Sequence, residues 1–142
     1  MEKTSQIVMK GKKLITEDSI LKHNYFILNY APLNYFYGKE VYFSDGFKED
    51  KLVLFQLLGN LGAFANDSTI DNSISIFVLS DTLFIQLKAG YKDNSILYIE
   101  KKLNSKGQPF SDLLIITESS LITFIKKRTI FYSDEATQDL IE

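Results

Sequence analysis

The stretch Ile74-Ser75-Ile76-Phe77-Val78-Leu79-Ser80-Asp81-Thr82-Leu83-Phe84-Ile85-Gln86-Leu87-Lys88-Ala89-Gly90 decides the fold class. Its opening run, Ile74 to Leu79, is apolar, partly β-branched and of the length of a buried strand. Ser80-Asp81 stops that run and offers a helix cap, because short side-chain oxygens accept from the unpaired amides of a first turn. Asp81 to Gly90 then reads as a short helix, capped at one end and closed by glycine at the other. A strand feeding directly into a helix is the unit of an α/β layer.

The same unit recurs on either side. Upstream, Glu40-Val41-Tyr42-Phe43 is a second short strand, stopped by Ser44-Asp45-Gly46. Lys48 to Leu61 reads as a helix with Leu54, Phe55, Leu58 and Leu61 on one face; Leu52, Val53 and Leu57 widen its apolar stripe. Gly62, tolerant of positive φ, ends it, and 63–66 makes a brief strand before a polar loop over 67–72. Downstream, Asn94 to Lys106 reads as a helix with Ile96, Leu97, Ile99 and Leu103 as its apolar positions, ended by Gly107 and Pro109. Leu113 to Ile116 is the fourth strand. Thr117-Glu118-Ser119-Ser120 opens a last helix through Leu121, Ile122, Phe124 and Ile125. Glu118 suits the positive end of its dipole and Lys126-Lys127-Arg128 the negative end. The expected fold is α/β: a small, mostly parallel four-stranded sheet flanked by helices.

Residues 1–33 read as an N-terminal arm or linker, 34–128 as the domain and 129–142 as an acidic C-terminal tail. Thr16-Glu17-Asp18-Ser19 can cap a short helix through Ile20, Leu21 and His23, and Pro32 interrupts any helix that reaches it. The aromatics Tyr25, Phe26 and Tyr30 suggest that the arm packs against something. Charge follows the same division: net +2 over 1–33, zero over 34–128 and −4 over 129–142. The sum, −2, argues against coating nucleic acid by bulk charge.

Composition removes several function classes. The 142 residues hold no cysteine and one histidine, which excludes disulfides, thiol nucleophiles, Cys-based metal centres and a multi-His metal site. No apolar run approaches the ~20 residues of a membrane span, and the opening MEKTSQIVMKGKK lacks the apolar core of a signal peptide. A cytoplasmic, cofactor-free protein without a membrane or small-molecule partner is expected. His23 has no partner nearby in sequence and reads as a surface histidine. The carboxylates show no metal-like spacing, and there is no glycine-rich nucleotide loop, so no catalytic activity is expected.

Four pieces, in order, resemble a BRCT domain over about residues 36–127. Gly38-Lys39-Glu40-Val41-Tyr42-Phe43-Ser44 looks like the family's opening strand and its hydroxyl-bearing turn. Leu61-Gly62-Ala63 looks like its small-residue turn after the first helix, which Lys51 would lead. Ser75-Ile76-Phe77-Val78-Leu79-Ser80 resembles its central strand, and Ile115-Ile116-Thr117-Glu118-Ser119-Ser120-Leu121 its final strand and helix. Two features depart from the family: Leu121 stands where a large aromatic, often Trp, anchors the last helix, with Phe124 as a substitute, and the segment 81–94 is long.

The resemblance implies a non-catalytic interaction domain of DNA replication or repair, since bacterial copies are attached to NAD-dependent ligases and proofreading-type exonucleases. It also implies where a phosphate would sit. Ser44 supplies the hydroxyl, Asp45 takes the place of the glycine amide next to Gly46, and the helix lysine position falls on Ile99. A carboxylate and an apolar side chain in those places describe a degenerate pocket, which Lys48 and Lys51 compensate only in part. Two other roles stay open. Lys48, Lys101 and Lys102 are candidate contacts to DNA phosphate, few enough to predict weak, salt-sensitive binding. Leu52, Val53, Leu57, Ile122, Phe124 and Ile125 exceed one core stripe and form a candidate interaction surface. The arm, a second copy of the chain in a structural homodimer, and another protein are its three alternative coverings.

Overall fold

The computed structural model describes residues 14–48, 50–70, 73–105 and 113–129. The expected helix stop at Gly107 and Pro109, the lysines before residue 14, and the acidic tail beyond Thr129 lie outside these residues.

Each strand-to-helix unit forms. The elements are α1 (Glu17–Asn29), a 3-10 turn (Leu33–Phe36), β1 (Glu40–Phe43), α2 (Lys51–Asn60), β2 (Phe64–Asn66), β3 (Ile74–Leu79), α3 (Asp81–Lys88), α4 (Asn94–Leu103), β4 (Leu114–Thr117) and α5 (Glu118–Thr129). All strand pairs are parallel, in the order β2-β1-β3-β4. This is the α/β, BRCT-like architecture expected from the sequence.

Alternation along the strands divides the interior in two. Val41, Phe43, Ile76, Val78 and Ile116 face α2 and α5, where they meet Leu54, Leu58, Leu121, Phe124 and Ile125. Phe77, Leu79 and Ile115 face α3 and α4, where they meet Leu83, Leu87, Ile96 and Ile99; Ile74 joins them because the register against β1 shifts between Ile74 and Ile76. The long 81–94 segment thus contributes α3, a helix with its own share of the second core.

Helix α1 is where the expectation needed most correction. A capping box starts it: Thr16 Oγ1 accepts from Ser19 N at 3.1 Å and Ser19 Oγ from Thr16 N at 3.0 Å. It runs to Asn29, well past His23, and lies on β4 with Ile27 in the first core and Ile20 in the second. The buried residues are the isoleucines. Tyr25 and Tyr30 pair with each other at 5.8 Å on the outside.

Burial also corrects the proposed surface. Phe124 and Ile125 are fully buried under α1 and the 3-10 turn, with the Phe36 ring 5.2 Å from that of Phe124. Ile122 and Leu57 are half-buried against the same core. Phe124, with Leu121, holds α5 down on the first core. Of the six residues, Leu52 and Val53 remain exposed, at 73% and 49%.

Gly62 shows what a tight turn requires. It sits at φ +83°, and a Cβ there would lie 2.4 Å from the Tyr37 ring. Its carbonyl accepts from Gly38 N at 2.8 Å, joining the end of α2 to the approach to β1.

Candidate functional site

In an open parallel sheet the place for a ligand is beyond the carboxyl ends of the strands, where the strand order reverses. Here that place lies between β1 and β3, and the chain's own groups close it. Ser44, fully buried, donates its hydroxyl to the Asp45 carbonyl at 3.0 Å. The same oxygen accepts from Ser80 N at 2.9 Å. Ser80 Oγ in turn accepts from Leu83 N at 3.1 Å and so caps α3. Gly46 has to be glycine: it sits at φ +85°, and a Cβ would meet Ser80 Oγ at 3.0 Å.

Reciprocal capping continues to β4. Asp81 N, at the start of α3, donates to Glu118 Oε1 at 3.2 Å. Ser119 N, at the start of α5, donates to Asp81 Oδ1 at 3.2 Å, and Ser119 Oγ to Asp81 Oδ2 at 2.5 Å. Each helix is therefore capped by a carboxylate of the other. Asp50 accepts from Leu52 N at the head of α2, and Asp93 from Ile96 N at the head of α4. A helix N-terminus attracts anions because its amides are unpaired and its dipole end is positive. At all four of these ends a resident hydroxyl or carboxylate already occupies that role.

The predicted phosphate-site residues fall in different places. Ser44 is committed to the β3–α3 turn, and Asp45 and Gly46 are exposed. Lys51 pairs with Asp67 at 2.8 Å. Ile99 is fully buried in the second core and faces no ligand. The candidate DNA contacts are also dispersed. Lys48 is exposed beside the β1–α2 loop. Lys101 and Lys102 lie near the far end of α4, about 10 Å along its axis from Asn94. Lys102 rests its ammonium 5.5 Å from the Tyr98 ring centroid.

His23 is not a free surface residue. Its Nδ1 accepts from Ile115 N at 2.9 Å, and Asn24 Oδ1 accepts from Thr117 N at 3.0 Å. These residues satisfy outward amides of β4, which would otherwise be an open sheet edge. In the neutral ring Nδ1 accepts from Ile115 N; in the charged ring its proton faces the Ile115 carbonyl, 3.3 Å away. Desolvation by burial lowers the His23 pKa from its ordinary 6.5, opposed by that second hydrogen bond. The unfolded chain therefore binds this proton more readily than the folded one. The His23 contribution is fully present above about pH 6.5 and is lost as pH falls from there toward the lowered folded value. Urea midpoints measured from pH 8 to pH 5 are expected to decline below about pH 6.5, and His23→Gln should flatten that part of the curve. An unchanged curve in the variant would remove His23 as its source.

A second buried anchor holds the start of the described chain. Glu100 Oε2 accepts from Ile15 N at 2.7 Å and from Lys92 Nζ at 2.5 Å. Sequence reading missed both anchors, because each joins residues some 85 to 93 positions apart. Among the described residues no group of three or more His, Cys, Asp or Glu could hold a metal ion, and no helix is long and apolar enough to cross a membrane. No family model, curated protein or solved structure matches the chain. The BRCT-like α/β fold is consistent with a non-catalytic interaction module.

Proposed function

We propose that the chain is a non-catalytic protein-interaction module of DNA replication or repair, of the kind carried by ligase- or exonuclease-type proteins. One observation carries the reading: the helix starts around the β1–β3 crossover, where such a sheet would hold an anion, are already capped by the chain's own groups. Exposed apolar side chains stand elsewhere, on α2 at Leu52 and Val53 and on the edge strand at Phe64. Apolar surface left in water favours contact with another macromolecule. The replication or repair setting comes from the BRCT-like layout alone. Direct DNA binding is the weaker reading, since the net charge is −2 and Lys102, one of three candidate contacts, already rests against Tyr98.

Cross-linking in the native host through Lys48 or Lys51, which adjoin Leu52 and Val53, tests both parts. Cross-links to replication or repair proteins are expected. The double substitution Leu52→Ser, Val53→Ser should abolish them while changing stability by no more than about 0.5 kcal/mol per site. Cross-links only to copies of the same chain would favour the homodimer instead. Tight binding of 5′-phosphorylated duplex at low salt would favour the DNA reading.

A further inference from the structure

Helices α3 and α4 cover the sheet only partly, and a cleft of about 530 Å³ opens beside α4. Tyr42 of β1, Asp45, Ile70, Tyr91, Asp93 and Tyr98 line it. Its polar character is one-sided. Asp45 makes no side-chain hydrogen bond or ion pair to any described residue, and no lysine or arginine lines the cleft. Of the nearby lysines, Lys51 is held by Asp67, Lys92 by Glu100 and Lys102 by the Tyr98 ring, while Lys48, in the same loop as Asp45, is exposed. Burial, and then the fields of Asp45, Asp67 and Asp93, raise the Tyr42 phenol above its ordinary pKa of 10.0. Tyr42 therefore lies in negative potential.

The aromatic rings fit the same ligand. Tyr91 is exposed and stacks on no other ring among the described residues, and Tyr42 has Phe77 behind it at 5.7 Å, within the sheet's second core. Phenol rings beside a carboxylate attract ammonium and guanidinium groups through the ring quadrupole and through charge. Phosphate would meet Asp45 and Asp93 instead, and Asp93 already answers the amides of α4.

We propose that this cleft binds a lysine or arginine side chain of a basic peptide segment, with Asp45 as the counter-charge and Tyr42 and Tyr91 as the aromatic contacts. The cleft and α2 lie on opposite faces of the sheet, so this site and the Leu52–Val53 surface can fail independently.

The test titrates the full chain, at low salt, into a fluorescent peptide of alternating arginine and serine. An alternating glutamate–serine peptide, a phosphoserine peptide and free spermidine provide the comparisons. Binding of the arginine peptide is expected. Asp45→Asn and Tyr91→Ala should each weaken it about three- to ten-fold, and Asp45→Lys should weaken it further, because a like charge then faces the ligand. Leu52→Ser should leave it unchanged. Both target side chains are exposed, so the variants should keep the wild-type unfolding midpoint. Four results would overturn the assignment: no binding of the arginine peptide up to about 1 mM (about 4 kcal/mol), indifference to both neutral substitutions, preference for the phosphoserine or glutamate peptide, or spermidine competing as well as the peptide.

Discussion

Replacing Ile99 by lysine is expected to unfold the protein in part rather than to complete a phosphate pocket. Ile99 is fully buried with Phe77, Leu79, Ile96 and Ile115, and the adjacent buried carboxylate, Glu100, is already taken by Ile15 N and Lys92. An unpaired ammonium in such surroundings loses its hydration without compensation, which amounts to several kcal/mol. A loss of about 4–5 kcal/mol at neutral pH is a large part of the 5–15 kcal/mol of a typical domain. The folded-state pKa of that lysine would be depressed, so the unfolded state would bind the extra proton. Part of the lost stability should then return as pH rises toward about 10. Urea denaturation at pH 7 and pH 10 measures both effects. Ile99→Met, which keeps apolar volume, should lose less than about 1.5 kcal/mol. A lysine variant as stable as wild type would show that position 99 faces solvent.

Phe124→Ala is the second large effect. The ring is fully buried, lies edge-on to Phe36 at 5.2 Å and carries the Arg128 guanidinium 5.4 Å from its centroid. That guanidinium donates to the Ala31 carbonyl at 3.1 Å and the Leu28 carbonyl at 3.0 Å. Removing the ring leaves a cavity between α5, the 3-10 turn and the end of α1, and truncations of this kind cost about 3–5 kcal/mol. Leu52→Ala, at a mostly exposed position, should change stability by no more than about 0.5 kcal/mol. Equilibrium unfolding of the two variants side by side checks the contrast. Similar small losses in both would return Phe124 to the surface.

That contrast shows what the sequence could and could not tell. Ile74 to Leu79 was legible as a strand because a continuous apolar run bounded by Ser80-Asp81 fits little else. The last helix was legible from its cap and its charged ends. What lay over each helix was not legible. Leu52 and Phe124 are both surplus apolar residues on amphipathic helices, and only the path of α1 makes one a surface residue and the other a core residue. Thr16-Glu17-Asp18-Ser19 announced α1 but not its partner, since His23 and Asn24 reach β4 across more than ninety residues. Ser44 was found through its turn. Its commitment to Ser80, however, depends on how β1 and β3 sit side by side. The aromatic cleft left no local signal, because Tyr42 and Asp45 lie some fifty residues before Tyr91 and Tyr98, and the sequence marked only Asp45, for a different role.

The cover that α1 provides for β4 also sets an order in time. Residues 17–29 leave the ribosome well before their partner strand, 114–117. Until then Ile20 and Ile27 lack their neighbours, and after β4 emerges its outward amides still wait for His23 and Asn24. Parallel pairing without hairpins already makes such a chain slow to close, since contacts distant in sequence must form before they are rewarded. During synthesis the chain therefore passes through an interval with an unpaired strand edge and an uncovered apolar helix, the condition in which nascent proteins aggregate or need a chaperone.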